Sequence, residues 1–257
     1  MLTPPEIARS LLAAGESKAR LPFGKMLLLA ILAGAYIALA GVGATAAAVT
    51  VESGSLAKLL SACVFPAGLS MVILAGSELF TGNCLMVMAL LERRITPAQL
   101  LRNWLTVYLG NAVGGAAVAA LAVYSHTASL FGDGLARSMV SIAESKAALG
   151  AGDAFLRGVL CNFLVCLAVW MAAASKRAEG KVIALFFPIL LFVLCGYEHC
   201  IANLYYLPAG AFAAAEYGVE TMLTLAGCLK NLAAVTLGNL VGGAALGVGY
   251  RFAYLKE

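Results

Sequence analysis

Apolar residues run along this chain in long blocks divided by short polar or basic stretches. Measured against the ~20 residues a helix needs to cross a bilayer, the blocks fall near residues 26–51, 60–91, 99–124, 154–175, 182–208 and 224–252. Six spanning helices are therefore expected, with little length left for a separate soluble domain. Blocks 2 and 5 are interrupted. From Ala62 to Ser77 is 16 residues, about 24 Å of helix, which stops short of the far surface. Glu78-Leu79-Phe80-Thr81-Gly82-Asn83 then breaks the pattern before Cys84–Leu91 completes the crossing. The fifth block runs from Val182 to Cys195, meets Gly196-Tyr197-Glu198-His199, and resumes over Ile201–Leu207 before Pro208. Non-helical backbone at membrane depth survives only where it is buried in protein or faces water. Two broken helices at matching places thus point to a permeation path.

The places match because the chain repeats itself. NWLTVYLGNAVGGAA (103–117) and NLAAVTLGNLVGGAA (231–245) share ten of fifteen positions at an offset of 128. Asn103/Asn231, Gly110/Gly238, Asn111/Asn239, Gly114/Gly242 and Gly115/Gly243 are among them. At an offset of 120, AGSELFTGN (75–83) faces CGYEHCIAN (195–203) and shares Gly76/Gly196, Glu78/Glu198 and Asn83/Asn203. Repeat 1 covers about 26–124 and repeat 2 about 154–252, within one transmembrane domain spanning 1–257. Spans 1 and 4 show no convincing match. Three spans per half is an odd number, so the halves are expected to be antiparallel, an arrangement that places a site near the bilayer midplane between discontinuous helices. The G-N-x-x-G-G pattern is expected to pack helices closely, with Asn103, Asn111, Asn231 and Asn239 bonding across them.

Composition agrees: 62% apolar, 12% charged and a mean hydropathy of +0.94 exclude an ordinary soluble domain. The first apolar run begins too far in, and is too long, for a cleaved signal peptide. One side of the expected topology holds Arg9, Lys18, Arg20, Lys25, Arg93, Arg94, Arg102, Lys176, Arg177, Lys181, Arg251 and Lys256, against Lys58, Arg137, Lys146, Arg157 and Lys230 on the other. That bias places both termini, and the segment 1–25, in the cytoplasm. The net charge of +4 reflects it and implies no nucleic-acid partner. The seven cysteines fall in apolar segments without a CxxC pair and are expected to be buried packing residues, with no metal or other cofactor.

Polar residues inside the apolar blocks are the candidate chemistry. Glu78 and Glu198 cost several kcal/mol unless paired or wetted, and are expected to brace the breaks by accepting freed backbone N–H groups. His199 sits in a break beside an acid. Its ordinary pKa of ~6.5 suits a group that offers a proton or a positive field to a passing anion. His126 has no such context. Thr81 offers a hydroxyl either to a solute or to its own loop. Asn162 needs buried partners, and Lys146, on spacing alone, reads as a solvated lysine. Phe65, Leu69, Leu79, Phe80 and Phe192 read as core packing or as apolar constrictions that exclude hydrated cations.

At GSELFTGN (76–83), NWLTVYLGN (103–111), CNFLVCLAVWM (161–171), GYEHCIAN (196–203) and NLAAVTLGNLVGG (231–243) the chain resembles the formate/nitrite transporter family. The likeness spans nearly all of residues 1–255. It implies an aquaporin-like fold of six helices with helices 2 and 5 broken, a lipid-embedded pentamer in a bacterial inner membrane, and one pore per protomer. Small monovalent anions such as formate, nitrite or hydrosulfide, and often the matching acid, would pass. The resemblance makes His199 and Thr81 a central pore pair, with Thr81 on the loop breaking span 2. Glu198 becomes the acid beside the histidine, Asn162 a pore-side amide, and Lys146 the outer vestibule lysine. Leu79, Phe80, Phe65, Leu69 and Phe192 would be the constrictions, and Glu78, Asn83 and Asn203 the support for the breaks. MLTPPEI is similar to the hydrosulfide branch, GSELFTG to nitrite channels, and RITPAQLLRNWLTVYLGN to formate channels. A neutral-solute pore is the alternative; no Asn-Pro-Ala pair is present to support it. An intramembrane hydrolase lacks a Gly-x-Ser-Gly site.

Overall fold

A computed structural model describes residues 1–255; Lys256, counted above with the cytoplasmic charges, lies outside them. The described residues are almost wholly helical. Helix α1 (Pro4–Ala19) starts at a capping box, in which Thr3 backbone and hydroxyl donate to the Glu6 carboxylate. Those two bonds hold the Glu6 carboxyl below its ordinary range. Helix α2 (Phe23–Ala48) follows, then α3 (Gly54–Val64) and α4 (Pro66–Ala75), joined at Pro66. Two short helices, α5 (Phe80–Asn83) and α6 (Val87–Leu91), flank a 3-10 turn at Cys84–Met86 and lead to α7 (Pro97–Tyr124). The second half contains α8 (Gly134–Ala148), α9 (Ala151–Ala173), α10 (Ala178–Leu194), α11 (Cys200–Tyr217) and α12 (Leu225–Tyr254).

Among the described residues, five stretches are long and apolar enough to cross a bilayer: α2, Gly54–Ala75, α7, α9 and α12. The expected fifth crossing is divided between α10 and α11, of 17 and 18 residues, neither of which meets that measure alone. Helix α11 also runs ten residues further than the sequence suggested, through Pro208 to Tyr217. Proline removes the hydrogen bond to the carbonyl four residues back, here that of Leu204. Gly115 packs against this carbonyl, where a Cβ would sit 3.1 Å away.

Helix α2 packs most extensively on α7, and α9 on α12. Glycine makes both contacts possible. A Cβ on Gly114 would run into the Ile31 carbonyl, and one on Gly242 into the Val159 carbonyl. Backbone cannot yield as a flexible side chain does, so Gly114→Ala and Gly242→Ala are each expected to lower stability by about 2 kcal/mol. Thermal unfolding of the detergent-purified protein checks this, with Gly249→Ala, which meets nothing within 4 Å, as the neutral control.

The cysteine expectation holds in part. Cys84, Cys161, Cys166 and Cys200 are buried, but Cys63 and Cys195 are exposed and Cys228 is half-buried. An exposed helix face in lipid favours apolar and weakly polar residues equally, so hydropathy does not separate the two locations.

Candidate functional site

Both breaks are made the same way. Helix α4 ends at Gly76 (φ +80°) and α10 is followed by Gly196 (φ +68°), left-handed positions that glycine takes without strain. The chain then extends, at Leu79 (φ −109°, ψ 123°) and at His199 (φ −112°, ψ 112°), before the next helix begins. The interruption is shorter than the expected Glu78–Asn83. Phe80, Thr81 and Asn83 already belong to α5, so Thr81 stands on the first turn of a short helix and not on a loop.

Two buried asparagines close these breaks. Asn111 Oδ1 accepts the Phe80 N–H (3.0 Å), while its Nδ2 donates to the carbonyls of Ala30 (2.7 Å) and Glu78 (2.9 Å). Asn239 does the same with the Cys200 N–H (2.9 Å), Gly158 (2.8 Å) and Glu198 (2.9 Å). The Glu78 N–H bonds the Leu29 carbonyl, and the Glu198 N–H that of Arg157. Leu29/Arg157 and Ala30/Gly158 are 128 apart. Spans 1 and 4 are thus related in contacts even though their sequences are not. Tyr108 and Thr236, also 128 apart, bond each other at 3.1 Å.

The carboxylates do not take backbone N–H groups, contrary to expectation. Glu78 accepts from Lys18 Nζ (2.7 Å) and Asn83 Nδ2 (2.8 Å), and Asn83 also reaches Asn103 Oδ1 (2.9 Å). Glu198 accepts from Lys146 Nζ (2.9 Å) and Asn203 Nδ2 (2.7 Å), and Asn203 reaches Asn231 Oδ1 (2.8 Å). The asparagine carbonyls of the break-closing pair already satisfy the freed backbone. The carboxylates therefore balance ammonium groups at the ends of α1 and α8. Lys146 is not a solvated surface residue: its side chain is 15% exposed and also lies over the Tyr206 ring. Lys18, in the sequence only one basic charge among the cytoplasmic set, is the ion-pair partner of Glu78. Its signal was present, since Lys18 and Lys146 are 128 apart.

Between the two ion pairs lies a line of three cavities. One, of about 310 Å³, is lined by α1 (Leu11, Ala14, Gly15, Lys18) together with Glu78, Leu79, Leu69 and Val72. Another, of about 430 Å³, is lined by Lys58, Lys146, Arg157, Glu198, His199, Phe65 and Phe192. A void of about 10 Å³ between them, enough for about one water, touches Leu69 and Leu79 of the first and Phe65, Phe192 and His199 of the second. Ile37/Val165, Leu69/Ile189 and Leu79/His199 are repeat-related pairs facing it. The septum is thus apolar apart from one imidazole. Phe65 and Phe192 meet edge-to-face at 5.7 Å, and Phe192 stacks on His199 at 5.7 Å. Phe80, expected among the constrictions, instead packs on Trp104 and Tyr108.

His199 caps α11: its Nδ1 accepts the Ala202 N–H at 3.1 Å. Only a ring lacking a proton on Nδ1 can do so, which leaves the proton on Nε2. Nε2 lies 3.0 Å from Thr81 Oγ1 and donates to it. The Thr81 hydroxyl proton then remains for a third group. Asn162 is fully buried and ties Thr81 to α12, its Nδ2 donating to the carbonyls of Thr81 (3.2 Å) and Asn239 (2.7 Å).

This architecture defines a multi-pass, all-helical membrane transport protein built from two repeats around opposed cavities. The sequence pattern of the formate/nitrite transporter family matches residues 5–253, and the chain belongs to that family. It is 40% identical to the formate channel FocA of Haemophilus influenzae, over 86% of this chain and 84% of that protein. An FNT family ion channel superposes with a TM-score of 0.86 at 32% identity, covering 96% of this chain and 98% of that one. A pentameric formate channel with formate bound superposes with a TM-score of 0.80 at 33% identity, covering 91% and 98%. These likenesses do not favour the neutral-solute alternative.

Proposed function

We propose that this protein is a homopentameric channel for small monovalent anions (formate, nitrite or hydrosulfide) with one pore through each protomer. Each protomer crosses a bacterial inner membrane six times, in an aquaporin-like inverted arrangement with both termini in the cytoplasm, embedded in lipid. The observation that carries the reading is the line of cavities that His199 joins across an apolar septum. The superposed pentameric formate channel with formate bound supports formate and the oligomer. On the α8 side, taken as outer, Lys146 and its neighbours favour an anion at the mouth. Phe65, Phe192, Leu69 and Leu79 strip its water, a step that excludes strongly hydrated cations. At the narrowest point the Thr81 hydroxyl donates to the anion, while the Nε2–H of His199 polarises that hydroxyl. Hydrogen bonds in such chains strengthen one another.

Anion flux into proteoliposomes tests this. The wild type is expected to pass formate readily. Thr81→Val, which keeps the shape and removes the hydroxyl, is expected to lower flux at least about tenfold, the loss of one hydrogen bond to a charged group. His199→Phe is expected to abolish the pH dependence of flux. An unchanged pH profile in that variant rejects the histidine's role.

A further inference from the structure

The two large cavities differ in charge. Glu78 and Lys18 balance in the α1 cavity, but Glu198 alone faces Lys58, Lys146 and Arg157 in the α8 cavity. Lys146 is committed to Glu198. Among the described residues, the Lys58 and Arg157 side chains have no hydrogen-bond or ion-pair partner. The hydroxyls of Ser61 and Ser145 in the same cavity already donate to the Ala44 and Ser141 carbonyls. Arg157 also breaks the symmetry that governs the rest of the site. Its repeat counterpart is Leu29, and both contribute only a carbonyl to the break. The fold therefore needs the Arg157 backbone and not its guanidinium. That backbone bond to Glu198 N–H (3.3 Å) fixes the position from which the side chain reaches the vestibule.

We infer that Lys58 and Arg157 form an anion-capture station in the α8 vestibule, which holds a small planar oxyanion before it reaches Phe65 and Phe192. The inference rests on the proposed anion conduction. A guanidinium presents parallel N–H donors that match two oxygens on one carbon or nitrogen, whereas an ammonium acts as a point charge. Formate and nitrite fit the fork. Hydrosulfide, with a single heavy atom, gains only the charge. Two uncompensated charges across about 8 Å of water raise the local anion concentration about fivefold at low salt.

Concentration-dependent flux of formate and of hydrosulfide, in proteoliposomes at ~10 mM and ~1 M salt, tests the station. For Lys58→Ala/Arg157→Ala, the half-saturating formate concentration is expected to rise about fivefold at low salt and to match the wild type at high salt, with maximal flux unchanged. Arg157→Lys is expected to keep the salt-dependent capture and lose the preference for formate over hydrosulfide. If the double variant does not assemble, Arg157→Ala alone is expected to show about a twofold rise. A wild-type half-saturation in these variants at low salt, with formate flux intact, overturns the station and leaves conduction standing. A wild-type protein that passes neither anion removes both.

Discussion

Asn239→Leu is expected to lower the melting temperature of the purified protein by about 10 °C, and Asn111→Leu by a similar amount. Leucine is close to isosteric with asparagine but offers neither donor nor acceptor. In the Asn239 variant the Cys200 N–H and the Glu198 carbonyl lose their partner, while the Gly158 carbonyl keeps its bond within α9. Each of the two orphaned buried groups costs about 1.5 kcal/mol, hence about 3 kcal/mol in all, and a kcal/mol is worth a few degrees in a chain of this size. Asn111→Leu orphans the equivalent pair, the Phe80 N–H and the Glu78 carbonyl. The measurement is thermal unfolding in detergent, followed by size exclusion. If both variants melt with the wild type, the breaks are held by something other than these amides. Because the His199 backbone lies next to Cys200, the Asn239 variant is also expected to lose anion flux beyond its loss of folded protein.

The duplicated asparagines made much of this legible from sequence, because a buried amide in lipid has few alternatives to bonding another helix. Both breaks were legible for a related reason, since an acid followed by polar residues cannot continue an exposed apolar span. What escaped reading was the pairing of α1 with α8. Both are amphipathic and weakly apolar, so span-length hydropathy passes over them, yet Lys18 and Lys146 close equivalent ion pairs from their last turns. The two offsets also obscured the relation. Lys18 to Asn103 and Lys146 to Asn231 are both 85 residues. Between those fixed ends the carboxylate shifts, lying 60 residues after Lys18 but 52 after Lys146. One long limb before the break and one long limb after it give the same total length, and no single offset aligns both. Alternation along an irregular stretch does not say which way a ring turns, and the Phe80 ring packs on Trp104 and Tyr108.

The same pairing predicts an unequal response to loss of the two lysines. Lys146→Met leaves Glu198 buried, its side chain 7% exposed, with Asn203 still donating and Lys58 and Arg157 facing it only across the cavity. Removing one partner of a buried ion pair costs several kcal/mol because the remaining charge is stranded; about 3 kcal/mol is expected here. Lys18→Met strands Glu78 in the same way, but Lys18 is 30% exposed where Lys146 is 15%. The Glu78 side chain is itself only 8% exposed, but water already at Lys18 lies beside the carboxylate it leaves, and a smaller loss of about 2 kcal/mol is expected. In Lys146→Met/Glu198→Gln the stranded charge is gone. Asn203 can still donate to the glutamine carbonyl, so most of the lost stability should return. Melting temperatures of the three variants decide the matter. Equal losses for the two single variants would mean that the ion pairs are equally wet, and failure of the double variant to recover would mean that Lys146 acts through Tyr206 and its helix rather than through charge.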